Sequence, residues 1–260
     1  LTPAVLDVLK KATGLGDADA WRAIWLLVSK SEQNNEDPAK AFLTDKGTSL
    51  FGYASALPYD QKKRGVTMGI VGWTTANDGK DGQGDAPRLF DNYRALGGDD
   101  LRKYVDGCCH SKDVCQKLID KVHAIQDDPK WIQAQWTNLV TGDGYLKKTM
   151  DAFAKVGIVQ PSALAIGTVF DTSLNQGYDG KDGGCTNLIK LAVHGDEDKT
   201  LEKYNAWRRG VAGTSEYNDP PSNGVHRADM FEQLRKAKCF SLTGPGAAKA
   251  IADALRWQMK

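Results

Sequence analysis

The sequence predicts a mainly α protein with one small antiparallel sheet. Three observations carry that expectation. Apolar residues recur at spacings of three and four in most segments of the 260-residue chain. Only 49–57 and 65–75 break this rhythm, with short β-branched or aromatic runs punctuated by glycine. These two runs flank the polar stretch Y-D-Q-K-K-R, a hairpin pattern.

The helical period runs through 4–12, 19–31, 112–126, 130–141, 144–156, 162–176, 198–209, 226–238 and 246–258. Pro129 and Pro161 stand just ahead of two of these runs, where proline suits a first turn. No repeat is long enough for a solenoid. D-G-K-D-G occurs within 77–85 and again within 178–184, in both cases as a loop. The length allows one large domain or two small lobes with a sizeable core.

Composition excludes several classes. A net charge of +1 advertises neither a nucleic-acid nor a membrane partner. No apolar run approaches a membrane span, and Leu1-Thr2-Pro3 reads as a processed start. Five cysteines (Cys108, Cys109, Cys115, Cys185 and Cys239) permit two disulfides and one leftover thiol, with connectivity open. A bridge within 108–115 and one between Cys185 and Cys239 are the guesses the sequence offers. D-G-K-D-G-Q-G-D lacks the alternating ligands and terminal Glu of an EF-hand, and C-C-H-x4-C lacks zinc spacing. His110, His123, His194 and His226 have no triad context. No metal or cofactor is expected.

The carboxylates carry the chemical argument. Trp21, Ile24, Trp25 and Val28 form one face of a helix, and Glu32, four residues on, continues it. A carboxyl beside apolar and aromatic neighbours holds its proton more readily, as a general acid must; the bland reading is a solvated helix end. Asp60 falls at the hairpin tip, before Lys62, Lys63 and Arg64, cations that would keep it ionised. An Asp before lysines is also ordinary turn chemistry. Asp171 lies in A-L-A-I-G-T-V-F-D-T-S-L-N-Q-G among Leu164, Ile166, Val169 and Phe170, and a buried carboxylate needs a partner. Arg208 and Arg227 are the candidates.

S-E-Q-N-N, then F-G-Y, then D-Q-K-K-R-G-V-T-M-G-I-V-G, resembles the signature of chitosanases of glycoside hydrolase family 46. L-A-I-G-T-V-F-D-T-S-L-N-Q-G, Y-N-A-W-R-R, P-P-S-N-G-V-H-R-A-D and the closing W-Q-M-K look like further matching segments in the family's order, so the resemblance runs from about residue 3 to the end. It implies a two-lobed, lysozyme-like fold with the active-site cleft between the lobes, one containing the hairpin at 49–75 and the other mostly helices from 112 to 240. It implies an endo-acting hydrolase of β-1,4 glucosaminide links that inverts the anomeric centre, without a cofactor. Glu32 then resembles the general acid, Asp60 the base, Thr67 the residue that helps hold the water and Arg64 the arginine beside it. Asp171, Arg208 and Arg227 match an ion network that steadies the acid.

Two spacings depart from the family pattern. Lys62 stands where the catalytic Asp is expected, and a turn longer by two residues restores Asp60. The interval from Glu32 to F-G-Y is also long, as if it held an inserted loop. Glu36 is the alternative acid, and Asp78, Asp81 and Asp85 are spare carboxylates. A cationic substrate demands an acidic site in a neutral protein. Asp81 is the expected substrate-binding Asp, with Asp78 and Asp85 beside it, and Tyr53 could meet a sugar cation. The resemblance further implies a secreted monomer whose partner is chitosan. The other readings are a lysozyme-like hydrolase of N-acetylated glycans and a non-catalytic polysaccharide-binding protein.

Overall fold

A computed structural model describes residues 1–33, 37–44, 47–57, 63–108, 110–214 and 224–256; for residues 31–33, 57, 112 and 214 it describes the backbone alone. The fold is mostly helical with a small antiparallel sheet. Its helices are α1 (Pro3–Thr13), α2 (Ala18–Gln33), α3 (Ala86–Ala95), α4 (Lys112–Ala124), α5 (Pro129–Val140), α6 (Tyr145–Lys155), α7 (Ala163–Gln176), α8 (Gly184–Leu191), α9 (Glu197–Thr214), α10 (Gly224–Lys236) and α11 (Ala247–Leu255). Among the described residues none is long and apolar enough to cross a membrane. The chain forms two compact units, one of Leu1–Val8 with Phe42–Thr141 and one of Leu9–Ala41 with Gly142–Lys260.

The first unit holds the sheet, ordered β1 (Ala54–Leu57), β2 (Gly65–Met68), β3 (Trp73–Thr74). The 65–75 run, expected as one strand, is two strands joined by a turn at 69–72. The reason is local: Gly69 and Gly72 both take positive φ, and Gly72 N–H closes the turn onto Gly69 O at 3.2 Å. The start of the other run, 49–53, is not strand either. Ser49 caps a 3-10 turn, Leu50–Gly52, by accepting from Phe51 N–H. Pairing places Ser55 opposite Thr67 and Thr67 opposite Thr74, so three hydroxyl residues share one face. Ala54, Met68 and Trp73 line the other, where Met68 and Trp73 are buried. A two-stranded ribbon, β4 (Ala76–Asn77) with β5 (Lys80–Asp81), follows, and then α3.

Neither the ribbon nor α3 was expected. Asp85, Ala86 and Pro87 open α3 with proline in its first turn, and Leu89, Phe90 and Tyr93 give it a buried face. That face packs on α5, where the Tyr93 and Trp131 rings meet edge-on at 5.3 Å. Asp128 caps α5 by accepting from Lys130 N–H at 2.8 Å and also accepts from the Tyr93 hydroxyl at 2.7 Å.

The second unit is helical and is built around α7. Ser162 caps that helix by accepting from Ala165 N–H at 3.1 Å, and Gly177, at φ 78°, ends it. α7 is buried through most of its length, and two of its hydroxyls are paired along the helix. Thr168 and Thr172 donate to the carbonyls of Leu164 and Thr168, one turn back. α2 packs on it, with the Trp25 and Phe170 rings 6.1 Å apart. α8, also unanticipated, packs against α6 and α7. α9 and α10 are joined by ion pairs of Arg235 with Asp198 and of Arg209 with Asp229, and Arg235 also pairs with Glu232 on its own helix.

Cys108, Cys115, Cys185 and Cys239 are buried free thiols, so neither guessed bridge among them is formed. Three of the thiols have other neighbours. Cys115 Sγ donates to Cys108 O and Cys108 Sγ to Tyr104 O, while Cys185 Sγ lies 3.6 Å from the Ser173 hydroxyl. Cys109 lies outside the described residues.

Candidate active site

Asp17 starts α2, with its side chain accepting from Asp19 and Ala20 N–H. Trp21, Ile24, Trp25, Leu27 and Val28 are buried along the helix. Glu32 lies in its last turn. Asp60, Glu36 and the W-Q-M-K segment lie outside the described residues.

The second unit holds the clearest electrostatic arrangement. Asp171, on α7, has no exposed surface. Its Oδ2 accepts from Arg208 Nη2 at 2.6 Å and from Arg227 Nε at 3.1 Å, while Oδ1 accepts from Arg227 Nη2 at 2.8 Å. Arg208 comes from α9 and Arg227 from α10, both buried. The arginine hold on Asp171 is therefore bidentate on one side and single on the other. Burial pushes the Asp171 carboxyl upward, but the guanidiniums of Arg227 and Arg208 outweigh it and hold the group below the ordinary carboxylate range. The sequence expectation brought these three residues together, and the structure places them in contact.

The first unit carries the remaining candidates. Thr67 sits mid-strand in β2, almost covered, and its Oγ1 donates to Gly72 O at 3.0 Å. With its proton so directed, that oxygen is left to accept. Tyr53 follows the 3-10 turn with its surface partly exposed, and its carbonyl accepts from Gly69 N–H at 2.8 Å. Arg64 is exposed, and its carbonyl accepts from Ala76 N–H.

The acidic loop resolves into distinct roles. Asp81, in β5, accepts from Gly107 N–H at 2.6 Å through Oδ2, tying the ribbon to the 105–108 turn. Asp78 takes positive φ at the ribbon's tip. Asp85 stands at the start of α3, and its Oδ1 accepts from Thr74 N–H at 2.6 Å. Crowding by neighbouring atoms pushes the Asp85 carboxyl up, against the pull of the Thr74 bond and of Arg88, although the residue keeps accessible surface. Asp85 therefore sits beside Thr74, the cross-strand neighbour of Thr67. The sequence signal for Asp85 is its place before A-P at a helix start, and it becomes visible only once α3 is recognised. Among the described residues no group of three His, Cys, Asp or Glu side chains could hold a metal ion.

No protein-family model matches the chain. A chitosanase of Niallia circulans is 28% identical over 273 aligned positions, which take in 100% of this chain and 84% of that protein. The native chitosanase of Bacillus subtilis MY002 superposes with a TM-score of 0.61 at 21% identity, covering 88% of this chain and 93% of that one. A family 46 chitosanase of Gynuella sunshinyii, solved with chitotetraose, gives 0.63 at 19% identity with the same coverage. The chain thus has the fold of these chitosanases, and its relatedness to a chitosanase in sequence spans its whole length.

Proposed function

We propose that the protein is an endo-chitosanase that hydrolyses β-1,4 glucosaminide links with inversion. The observation that carries this reading is the buried Asp171–Arg208–Arg227 cluster, packed in the same unit as the helix that bears Glu32. As Glu32 gives its proton to the glycosidic oxygen it becomes an anion. The guanidiniums of Arg208 and Arg227 favour that anion, and favour it more in the transition state than before it. Asp60 accepts a proton from the attacking water, whose oxygen bonds to the anomeric carbon as the leaving sugar departs. Thr67 Oγ1, already donating to Gly72 O, accepts the water's other O–H and so fixes its orientation. An inverting pair of carboxyls stands about 6.5–9.5 Å apart to admit this water. Tyr53 and Arg64 flank the strand ends, and Asp85, exposed where Asp81 is half-buried, meets a substrate ammonium in preference to Asp81.

The test is reducing-end release from fully deacetylated chitosan, with the anomer of the first product followed by NMR. Glu32→Gln should abolish hydrolysis with the fold and oligomer binding intact. Asp60→Asn should cost at least about a hundredfold in kcat, the scale for a positioned acid or base. Activity confined to N-acetylated glycans, or none with binding retained, would replace the proposal with a lysozyme-like hydrolase or a binding protein respectively.

A further inference from the structure

Gln135 lies on α5 with no exposed surface, one helical turn after Trp131. If packing alone governed this position, leucine or methionine would fill it without a polar group to satisfy. Instead both ends of the amide are used, and both on backbone far away in sequence. Nε2 donates to Phe51 O at 3.0 Å, and Oε1 accepts from Ile70 N–H at 3.0 Å. Trp131 Nε1 donates to the same Phe51 carbonyl at 2.6 Å.

These two backbone points bracket Tyr53, Arg64 and Thr67 in the chain. Phe51 belongs to the 3-10 turn that Tyr53 follows. Ile70 belongs to the β2–β3 turn. That turn is fastened to Tyr53 by Gly69 N–H on Tyr53 O, and to Thr67 by the Thr67 hydroxyl on Gly72 O. The turn is also pressed onto the amide: a Cβ at Gly69 would lie 2.6 Å from Gln135 Oε1 and 2.9 Å from the Trp73 ring. The direction of the Thr67 hydroxyl depends on where Gly72 O stands, and Gly72 stands where the turn places it.

We infer that Gln135 is a positioning residue, which holds the β2–β3 turn so that Thr67 Oγ1 presents its free lone pairs to the attacking water. The inference rests on the proposed role of Thr67 in hydrolysis. Gln135 itself touches neither sugar nor water.

The experiment is a double-mutant cycle on the full chain, combining Gln135→Met with Thr67→Ala. kcat and KM are measured on deacetylated oligomers, and amide hydrogen exchange is followed at Ile70. Gln135→Met should lower kcat by about tenfold or more with KM nearly unchanged, since small misplacements of a reacting group cost up to about a hundredfold. In the Thr67→Ala background the same substitution should change kcat by less than about twofold, the sign of two residues acting as a unit. Gln135→Glu, which when protonated can still donate to Phe51 O and accept from Ile70 N–H, should retain kcat at mildly acidic pH and keeps the test available if the methionine variant does not fold.

Unchanged kcat with faster exchange at Ile70 would overturn the inference and leave Gln135 a packing residue. An equal loss in both backgrounds would overturn it too. A native chain without hydrolysis would overturn the proposed function instead, and the Ile70 exchange would still report whether the amide holds the turn.

Discussion

Asp81 and Asp85 are four residues apart and do different work. Asp81 spends a carboxylate oxygen on Gly107 N–H, whereas Asp85 accepts from Thr74 N–H with its surface accessible. Asp85→Asn should raise KM for cationic chitosan by about tenfold, the loss of one charge-assisted hydrogen bond, with kcat little affected. Asp81→Asn should leave KM near its native value and lower the melting temperature. The reverse pattern in steady-state kinetics and thermal unfolding would return the ammonium contact to Asp81. Sequence reasoning could not separate the two, because both sit in one glycine-rich acidic run and only backbone partners distinguish them. Asp171 was legible for the opposite reason: an ionisable side chain on an otherwise apolar helix demands partners, and the arginines in Y-N-A-W-R-R and V-H-R-A-D were those available. Gln135 was not legible as anything but a polar residue on a helix, since its two partners are backbone atoms 65 and 84 residues away.

At the scale of elements, long periodic helices were readable and short ones were not. α3 and α8 span ten and eight residues, each following a glycine-rich stretch that reads as loop. The β2–β3 turn reads as strand because Ile70 and Val71 are β-branched, while the glycines around them set the chain direction. Gly84 shows how tightly α3 is joined to the sheet. A Cβ there would stand 2.0 Å from Thr74 O and 2.9 Å from Ala76 N, both backbone atoms that cannot swing aside. Gly84→Ala should therefore force α3 away from β3, cost about 1–3 kcal/mol, and weaken the Asp85–Thr74 bond. Gly210, inside α9, would put a Cβ into open space. Gly210→Ala should stabilise by about 0.5–1 kcal/mol. Urea unfolding of the two variants beside the native chain checks both signs; two shifts in the same direction would refute the steric account.

For the whole molecule, the buried ion cluster ties stability to pH. The folded Asp171 carboxyl titrates below its unfolded value, so its contribution is complete above about pH 4 and is lost as pH falls from there toward the lower folded value. Asp171→Asn should cost about 3–5 kcal/mol near neutrality, because two buried guanidiniums lose their counter-charge. It should also flatten the decline in stability below pH 4. Chemical denaturation from pH 7 to pH 3 measures both, and parallel profiles for the variant and native chain would show that the cluster does not govern acid unfolding.

The same cluster sets an order on biosynthesis. Asp171 precedes Arg208 by 37 residues and Arg227 by 56. A ribosome adding about 5–20 residues per second delivers the second arginine roughly 3–11 s after the aspartate. During that interval α7 has its apolar faces but lacks both countercharges until Arg208 is made and one of them until Arg227 is, so it cannot close into a dry core. The unit around it also draws on Leu9–Ala41, made long before. The nascent chain must therefore stay open until its last helices emerge, and rare codons ahead of residue 227 would lengthen its exposure to chaperones and proteases.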